Sequence, residues 1–245
     1  MLKVAWLVRL VRDGDRAAIR RAWSEEHAAL LRAVPGLERC ADNRTVAIAE
    51  GPGAGREEPA IDSVLCAWWP DERALREGLR SEAWSRVREH GRAIIAPGSG
   101  YDAPAVEVEE RIMRAGPATP WSGAGQPAGL CKHIGVLAFR ADRTRAQASR
   151  YWTEVHGAIA LEVADIRNYV QNHAVRPLRP DGPPDAEALP FDGFSEAWFT
   201  DRATFERAHA SPAWQRLQAD APNLFDVAAL ESGVNCVIDE RVVKG

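Results

Sequence analysis

Trp23-Ser24-Glu25-Glu26-His27 returns as Trp152-Thr153-Glu154-Val155-His156, and this recurrence decides the fold. Three further pairs follow the same order. Ile61-Asp62-Ser63-Val64 returns as Phe191-Asp192-Gly193-Phe194, Ser81-Glu82-Ala83-Trp84 as Ser211-Pro212-Ala213-Trp214, and Glu109-Glu110-Arg111 as Asp239-Glu240-Arg241. The displacement is 129 residues for the histidines (27 to 156) and 130 for the aspartates (62 to 192) and arginines (111 to 241), so one extra loop residue reconciles them. The chain is therefore read as two fused copies of one unit, at 1–114 and 131–245, meeting about a pseudo-two-fold axis. The Pro/Gly-rich stretch 115–130 reads as a linker.

Within each copy the periodicity alternates between strand and helix. First strands are expected at 3–11 and 132–139. Amphipathic helices follow at 15–34 and 144–163, with the stripes Ile19, Trp23, His27, Leu30, Val34 and Ala148, Trp152, His156, Ile159, Val163 at helical spacing. Second strands are expected at 37–49 and 166–175, and third strands at 62–69 and 192–199. Second helices open at Asp71 and Asp201, and fourth strands lie near 106–113 and 234–243. The Pro/Gly-rich excursions 51–59 and 177–190 suit surface loops. This order, β-α-β-β-α-β, is the ferredoxin-like unit. One such unit leaves a sheet face bare, and the second copy covers it. The expected fold is α+β: two fused ferredoxin-like repeats forming an intramolecular barrel with its helices outside.

Composition narrows the function classes. With 46% hydrophobic residues and a net charge of −4 in 245 residues, the chain is expected to be soluble and packed. No basic stripe points to nucleic acid, and no apolar run reaches membrane-spanning length. Cys40, Cys66, Cys131 and Cys236 form no Cys-x-x-Cys pair, which suggests reduced thiols and a cytoplasmic setting. The 9 Trp either fill cores or line a pocket for an aromatic ligand.

The Trp-x-x-x-His helix, the Phe191-Asp192-Gly193-Phe194-Ser195-Glu196-Ala197-Trp198-Phe199 strand and the Ser211-Pro212-Ala213-Trp214 helix start resemble EthD-domain proteins, of the dimeric α+β barrel superfamily. The resemblance spans almost the whole chain, once per half, and is closer in the second. In that family two chains usually make the barrel, whereas here one chain holds both halves. Similar domains include decarboxylases and dehydratases of polyketide-derived aromatics. The wider superfamily includes cyclases, isomerases, cofactor-free monooxygenases and haem-degrading enzymes, so fold analogy leaves the reaction open. The resemblance carries over to His27 and His156 and to Asp62 and Asp192. The first half departs from it, with Ser63 and Cys66 where the second has Gly193 and Glu196.

The residues themselves suggest one site. In a ferredoxin-like sheet the first and third strands are expected to be central, adjacent and parallel, so His133 and Asp192, near their beginnings, lie at one edge of the sheet. His156, in the later turns of the first helix, would join them. Strand alternation puts Asp192, Phe194, Glu196 and Trp198 on one face, and Tyr169, Gln171 and His173 on one face of the second strand. A neutral imidazole oriented by a carboxylate acts as general acid or base near neutral pH, and a phenol stabilises a developing oxyanion. The expected catalytic set is His156, Asp192, His133 and Tyr169, with Trp152, His173, Phe194, Glu196 and Trp198 binding substrate. His27, Asp62 and Trp23 form an equivalent second set. His133 has no counterpart, since Val4 stands there, and His90 and His209 are expected to be solvated.

The competing reading is structural: a histidine on an apolar stripe is more often a paired core residue, and a fold-critical His–Asp bond would recur equally. A metal held by His133, His156 and Asp192 is chemically conceivable, but no close-spaced ligand motif supports it, and no metal ligands are assigned. Gly51–Gly55 lacks the Lys-Ser/Thr ending of a phosphate loop. The resulting expectation is a lyase or isomerase that needs no cofactor and acts on a small aromatic, polyketide-like or lactone substrate. The alternatives are a non-catalytic carrier of a hydrophobic metabolite and a haem- or metal-dependent oxygenase. Further pairing into a homodimer is left open.

Overall fold

The computed structural model describes residues 1–48, 59–116, 130–178, 189–226 and 235–245. Most of the segments expected as the linker and the two Pro/Gly-rich excursions lie outside these residues.

The order along the chain is β1 (Leu2–Val8), α1 (Arg16–Ala22), a π turn (Trp23–His27), α2 (Ala28–Arg32), β2 (Arg39–Ile48), β3 (Ser63–Trp69), α3 (Glu72–Arg80), α4 (Glu82–Ile94) and β4 (Ala105–Arg114). The second half repeats it as β5 (Cys131–Leu137), α5 (Arg145–Tyr151), a π turn (Trp152–His156), α6 (Gly157–Leu161), β6 (Asn168–Leu178), β7 (Gly193–Phe199), α7 (Arg202–His209), α8 (Pro212–Leu224) and β8 (Asn235–Lys244). Helix starts follow from side-chain caps. Asp15, Asp71 and Asp201 accept from amides of the first turn, Thr144 and Gln147 form a reciprocal capping box, and Ser81 and Ser211 accept from Trp84 N and Trp214 N. The repeated Ser-x-x-Trp is thus first a helix cap, which also sets its Trp on the buried side.

The strands close into one barrel in the order β1-β3-β2-β8-β5-β7-β6-β4. Every pairing is antiparallel, and the halves join along two seams, β2 with β8 and β4 with β6. The expected α+β barrel of two fused repeats is the fold. The expectation that first and third strands run parallel is wrong. The helix crossover gives the first two strands one direction, and the hairpin to the third reverses it. His133 therefore faces Ala197, while Gly193, next to Asp192, faces Leu137, four residues or about 13 Å along β5.

Strand alternation sorts side chains into two environments. Inside the barrel lie Ala5, Val64, Cys66, Trp68, Val106, Ile134 and Phe194, together with a buried polar group. Lys3 Nζ lies 2.9 Å from Glu110, 3.2 Å from Glu196 and 2.8 Å from Asn172 Oδ1. Lys132 Nζ lies 2.7 Å from Glu196 and 2.6 Å from Asn43 Oδ1, and also contacts Glu240. Each ammonium sits over its own half's Trp, Lys3 at 4.8 Å from Trp68 and Lys132 at 4.6 Å from Trp198. Burial alone would raise the Glu196 carboxyl, but the two lysines pull it down to about 2. The other sheet face packs against the helices. No helix among the described residues is long and apolar enough to cross a membrane.

Candidate active site

The two helix–sheet layers are packed differently. In the first half one continuous cluster fills the layer. Trp6 is its centre, 5.7 Å from Trp84, 5.8 Å from Tyr101 and 6.4 Å from Trp69. In the second half the apolar side chains divide into two clusters, one around Phe199, Phe205 and Trp214 and one around Trp152, Leu224 and Phe225. Between them lies a chamber of about 100 Å³. Register shows where the two layers differ. Leu2 faces Trp69 as Cys131 faces Phe199, so Gly135 stands where the first half has Trp6, and Ser195 where it has Leu65. Replacing an indole by hydrogen at the centre of a packed layer leaves a void unless neighbours collapse into it.

The chamber wall is mostly apolar, including Val136, Leu137, Ala160, Ile166, Leu217 and Phe225, with Trp152 and Trp214. Its polar groups are His133, His156, Tyr169, Ser195 and Gln218. His156 ends the π turn, a local widening that is frequent at functional sites. There the Gly157 amide reaches back to Trp152 O, which also accepts from Gln171 Nε2 at 2.9 Å. A side chain at Gly157 would meet that Gln171 nitrogen at 2.7 Å.

His156 Nδ1 lies 2.9 Å from Asp220 Oδ2 on α8. Asp220 Oδ1 accepts from Tyr151 Oη at 2.7 Å and Asn223 Nδ2 at 3.1 Å. Burial raises the Asp220 carboxyl, but these three hydrogen bonds win and hold it below its usual range. Burial lowers the His156 imidazole, and Asp220 opposes this without reversing it. The pair at neutral pH is therefore a neutral ring donating Nδ1–H to a carboxylate, which leaves the lone pair on Nε2. Phe225 packs edge-on to the ring at 5.0 Å. Tyr169 Oη accepts from Gln171 Nε2 at 3.2 Å, and burial raises its phenol, which stays protonated.

The expected set does not converge as a whole. His156, His133, Tyr169 and Trp152 line the chamber. Asp192 does not. Its Oδ2 accepts from Phe139 N at 2.6 Å and its Oδ1 pairs with Arg145 at 2.7 Å, tying the end of β5 to α5. Asp62 does the same in the first half with Leu10 N at 2.8 Å and with Arg12 and Arg16, each at 3.1 Å. The reason is the antiparallel pairing, which puts His133 and Asp192 towards opposite ends of their strands. Phe194, Glu196 and Trp198 fall on the inner face of the barrel, with the sheet between them and His156. His173 lies behind Trp152, 4.2 Å between ring centres, bonded to Ser149 and Gln171. The metal set weighed from sequence is not assembled, and no group of three or more His, Cys, Asp or Glu able to hold a metal occurs among the described residues.

The first-half set is filled in. Trp23 stacks on His27 at 4.7 Å and donates Nε1–H to Asp42 at 3.0 Å. His27 bonds Tyr101 Oη at 2.8 Å and His90 Nδ1 at 3.1 Å. His90 and His209, expected to be solvated, turn inward onto His27 and His133.

Sequence reasoning missed Asp220, Gly135 and the lysine pair. A signal existed for Asp220 and for the lysines. Asp220 interrupts the apolar spacing Trp214, Leu217, Ala221, Leu224, and Lys3 and Lys132 interrupt apolar strands at matching positions.

Residues 140–228 match the family model described as the EthD domain. Among solved structures, an anthrone oxidase-like protein is similar at 11% identity and TM-score 0.57, over 100% of this chain and 94% of that one. A "Putative monooxygenase" from Fusobacterium nucleatum subsp. nucleatum ATCC 25586 is similar at 8% identity and TM-score 0.56, over 98% of this chain and 92% of that one. At such identities the likeness shows the fold alone. No curated protein matches.

Proposed function

We propose, from the match of residues 140–228 to the EthD-domain model, that the second half is a small-molecule enzyme working by proton transfer at His156. The observation that carries this reading is the 2.9 Å contact of His156 Nδ1 with Asp220 at the wall of an apolar chamber. Nε2 takes a proton from an acidic C–H beside a carbonyl, and the electron pair of that bond delocalises onto the carbonyl oxygen. Tyr169 and Ser195, which line the chamber, would supply hydroxyls that donate to that oxygen. The imidazolium, stabilised by Asp220, then returns the proton to another carbon (isomerisation) or to a departing oxygen (dehydration). Neither outcome involves a redox step, and on this reading the enzyme is a lyase or isomerase acting on an aromatic ketone or lactone.

Solvent-deuterium exchange into 4-hydroxyphenylacetone, read by NMR, tests the proton step whatever bond is made or broken afterwards. Wild type accelerates exchange. His156→Gln loses that acceleration by about 100-fold or more, and Asp220→Asn falls with it. Equal exchange by wild type and folded His156→Gln overturns the reading and leaves a carrier that binds without turnover.

A second reading draws on the names of the two similar structures. The same carbanion, formed by His156, would pass its electrons to dioxygen instead of being reprotonated, forming a carbon-bound peroxide that takes the imidazolium proton and then loses water to leave a new carbonyl. Oxygen uptake during turnover, absent under the first reading, separates the two.

A further inference from the structure

His133 is the buried imidazole whose hydrogen-bonding capacity stands open. It occupies the position of Val4, is 5% exposed, and lines the chamber. Its ring packs against Phe205 at 5.7 Å, His209 at 5.9 Å and Trp214 at 6.0 Å. No hydrogen bond joins its ring to another described residue, and Nε2 is shut away from solvent. The other buried imidazoles each have a partner: His27 has His90 and Tyr101, His156 has Asp220 at Nδ1, and His173 has Ser149 and Gln171. Buried polar groups are paired as a rule, so an imidazole without a partner whose exposed edge lines a cavity marks a place for a bound group.

Three properties of the chamber define that group. Among the described residues no Lys, Arg, Asp or Glu lines it, and the charge set behind its wall is the Asp220 carboxylate. An anion entering it would lose hydration and gain no counter-charge. Its volume of about 100 Å³ falls somewhat below the roughly 150 Å³ of a cavity known to take benzene, which limits the occupant to about one ring. Trp214, beside His133, and Asp220, beside His156, are six residues apart on α8, or about 9 Å along its axis. The two imidazoles therefore belong to different parts of the chamber wall.

Building on the proton-transfer reading of this chamber, we propose that it selects an uncharged ligand of one aromatic ring whose hydroxyl or carbonyl oxygen hydrogen-bonds to His133, with the reacting C–H presented to His156 at the other end. His133 is then a specificity-determining residue. It is kept neutral by burial and, secondarily, by His209, and offers one N–H and one lone pair.

Calorimetric titration with three probes tests this: p-cresol, toluene and benzoate. Wild type binds p-cresol about tenfold more tightly than toluene, and benzoate most weakly. His133→Val, which installs the side chain found at the matching first-half position, binds p-cresol and toluene equally. His133→Gln recovers part of the preference, and His156→Gln retains all of it. The proposal is overturned if wild type shows no preference, if benzoate binds more tightly than p-cresol, or if the preference survives in His133→Val. Should His133→Val fail to give a native near-ultraviolet spectrum, the wild-type ranking and the Gln variant decide alone. The exchange assay reads His156 independently, so lost probe discrimination with intact exchange rejects only the role of His133, and the converse rejects only the proton-transfer reading.

Discussion

A side chain added at Gly193 would meet the carbonyl oxygen of Asn172 at 2.6 Å and the Trp152 ring at 2.7 Å. Ser63 occupies the same place in the first half without conflict, because its hydroxyl donates to Asp42 at 2.5 Å. Gln171 stands where Asp42 does, so the second half has no such acceptor, and Trp152 fills the space. Gly193→Ser is therefore expected to destabilise by about 1–3 kcal/mol, the usual cost of overpacking, read from urea midpoints at unchanged slope. The difference between Ser63 and Gly193 is visible in the sequence. Its cause is not, because it lies in a compensating change on another strand. Asp220 is hidden for a related reason: a carboxylate reads as polar surface until Tyr151, Asn223 and His156 are seen around it. The motif histidine is legible at once, whereas its partner is an acid on a different element from the one the motif suggests.

The two helix–sheet layers are one design in two packing states, and mutation should interconvert them. Trp6→Ala opens the first layer at a cost of about 3–5 kcal/mol, measured by denaturant unfolding. Gly135→Leu puts carbon back into the second layer; it raises the melting temperature and abolishes p-cresol binding. A Gly135→Leu variant that still binds p-cresol would place the ligand elsewhere. Both outcomes follow from the Trp6-to-Gly135 correspondence, which emerges only once strand register is known. Helix and strand positions are readable from period and caps, since Asp15, Thr144, Ser81 and Ser211 cap where the pattern begins. The π turns are not, because Trp and His four residues apart satisfy the ordinary helical stripe as well. Strand direction is equally silent in the periodicity, and the meeting of His133 with Asp192 depended on it.

At the scale of the molecule, buried imidazoles set the acid limit of stability. His27, His133 and His173 are each pushed from 6.5 down to about 3, primarily by burial. The unfolded chain binds protons on these rings below pH 6.5, while the folded one refuses them until about 3. Their contribution is therefore complete above pH 6.5 and is lost progressively towards pH 3. Glu196, held at about 2 against an ordinary 4.5, adds a further loss between those values. Urea midpoints should fall steadily from pH 6.5 to 3, less steeply in His133→Val; a flat profile would contradict the burial of these rings. The duplication makes the barrel legible in advance, but not the charges inside it. Lys3 and Lys132 share the single acid Glu196, opposite which the other half offers only Cys66. A dimer of identical chains contributes its interior residues in even numbers. Two second halves would set four carboxylates against two amines, and two first halves would lack the shared acid altogether. Covalent fusion permits an odd count, and three carboxylates, Glu110, Glu196 and Glu240, here gather about two amines.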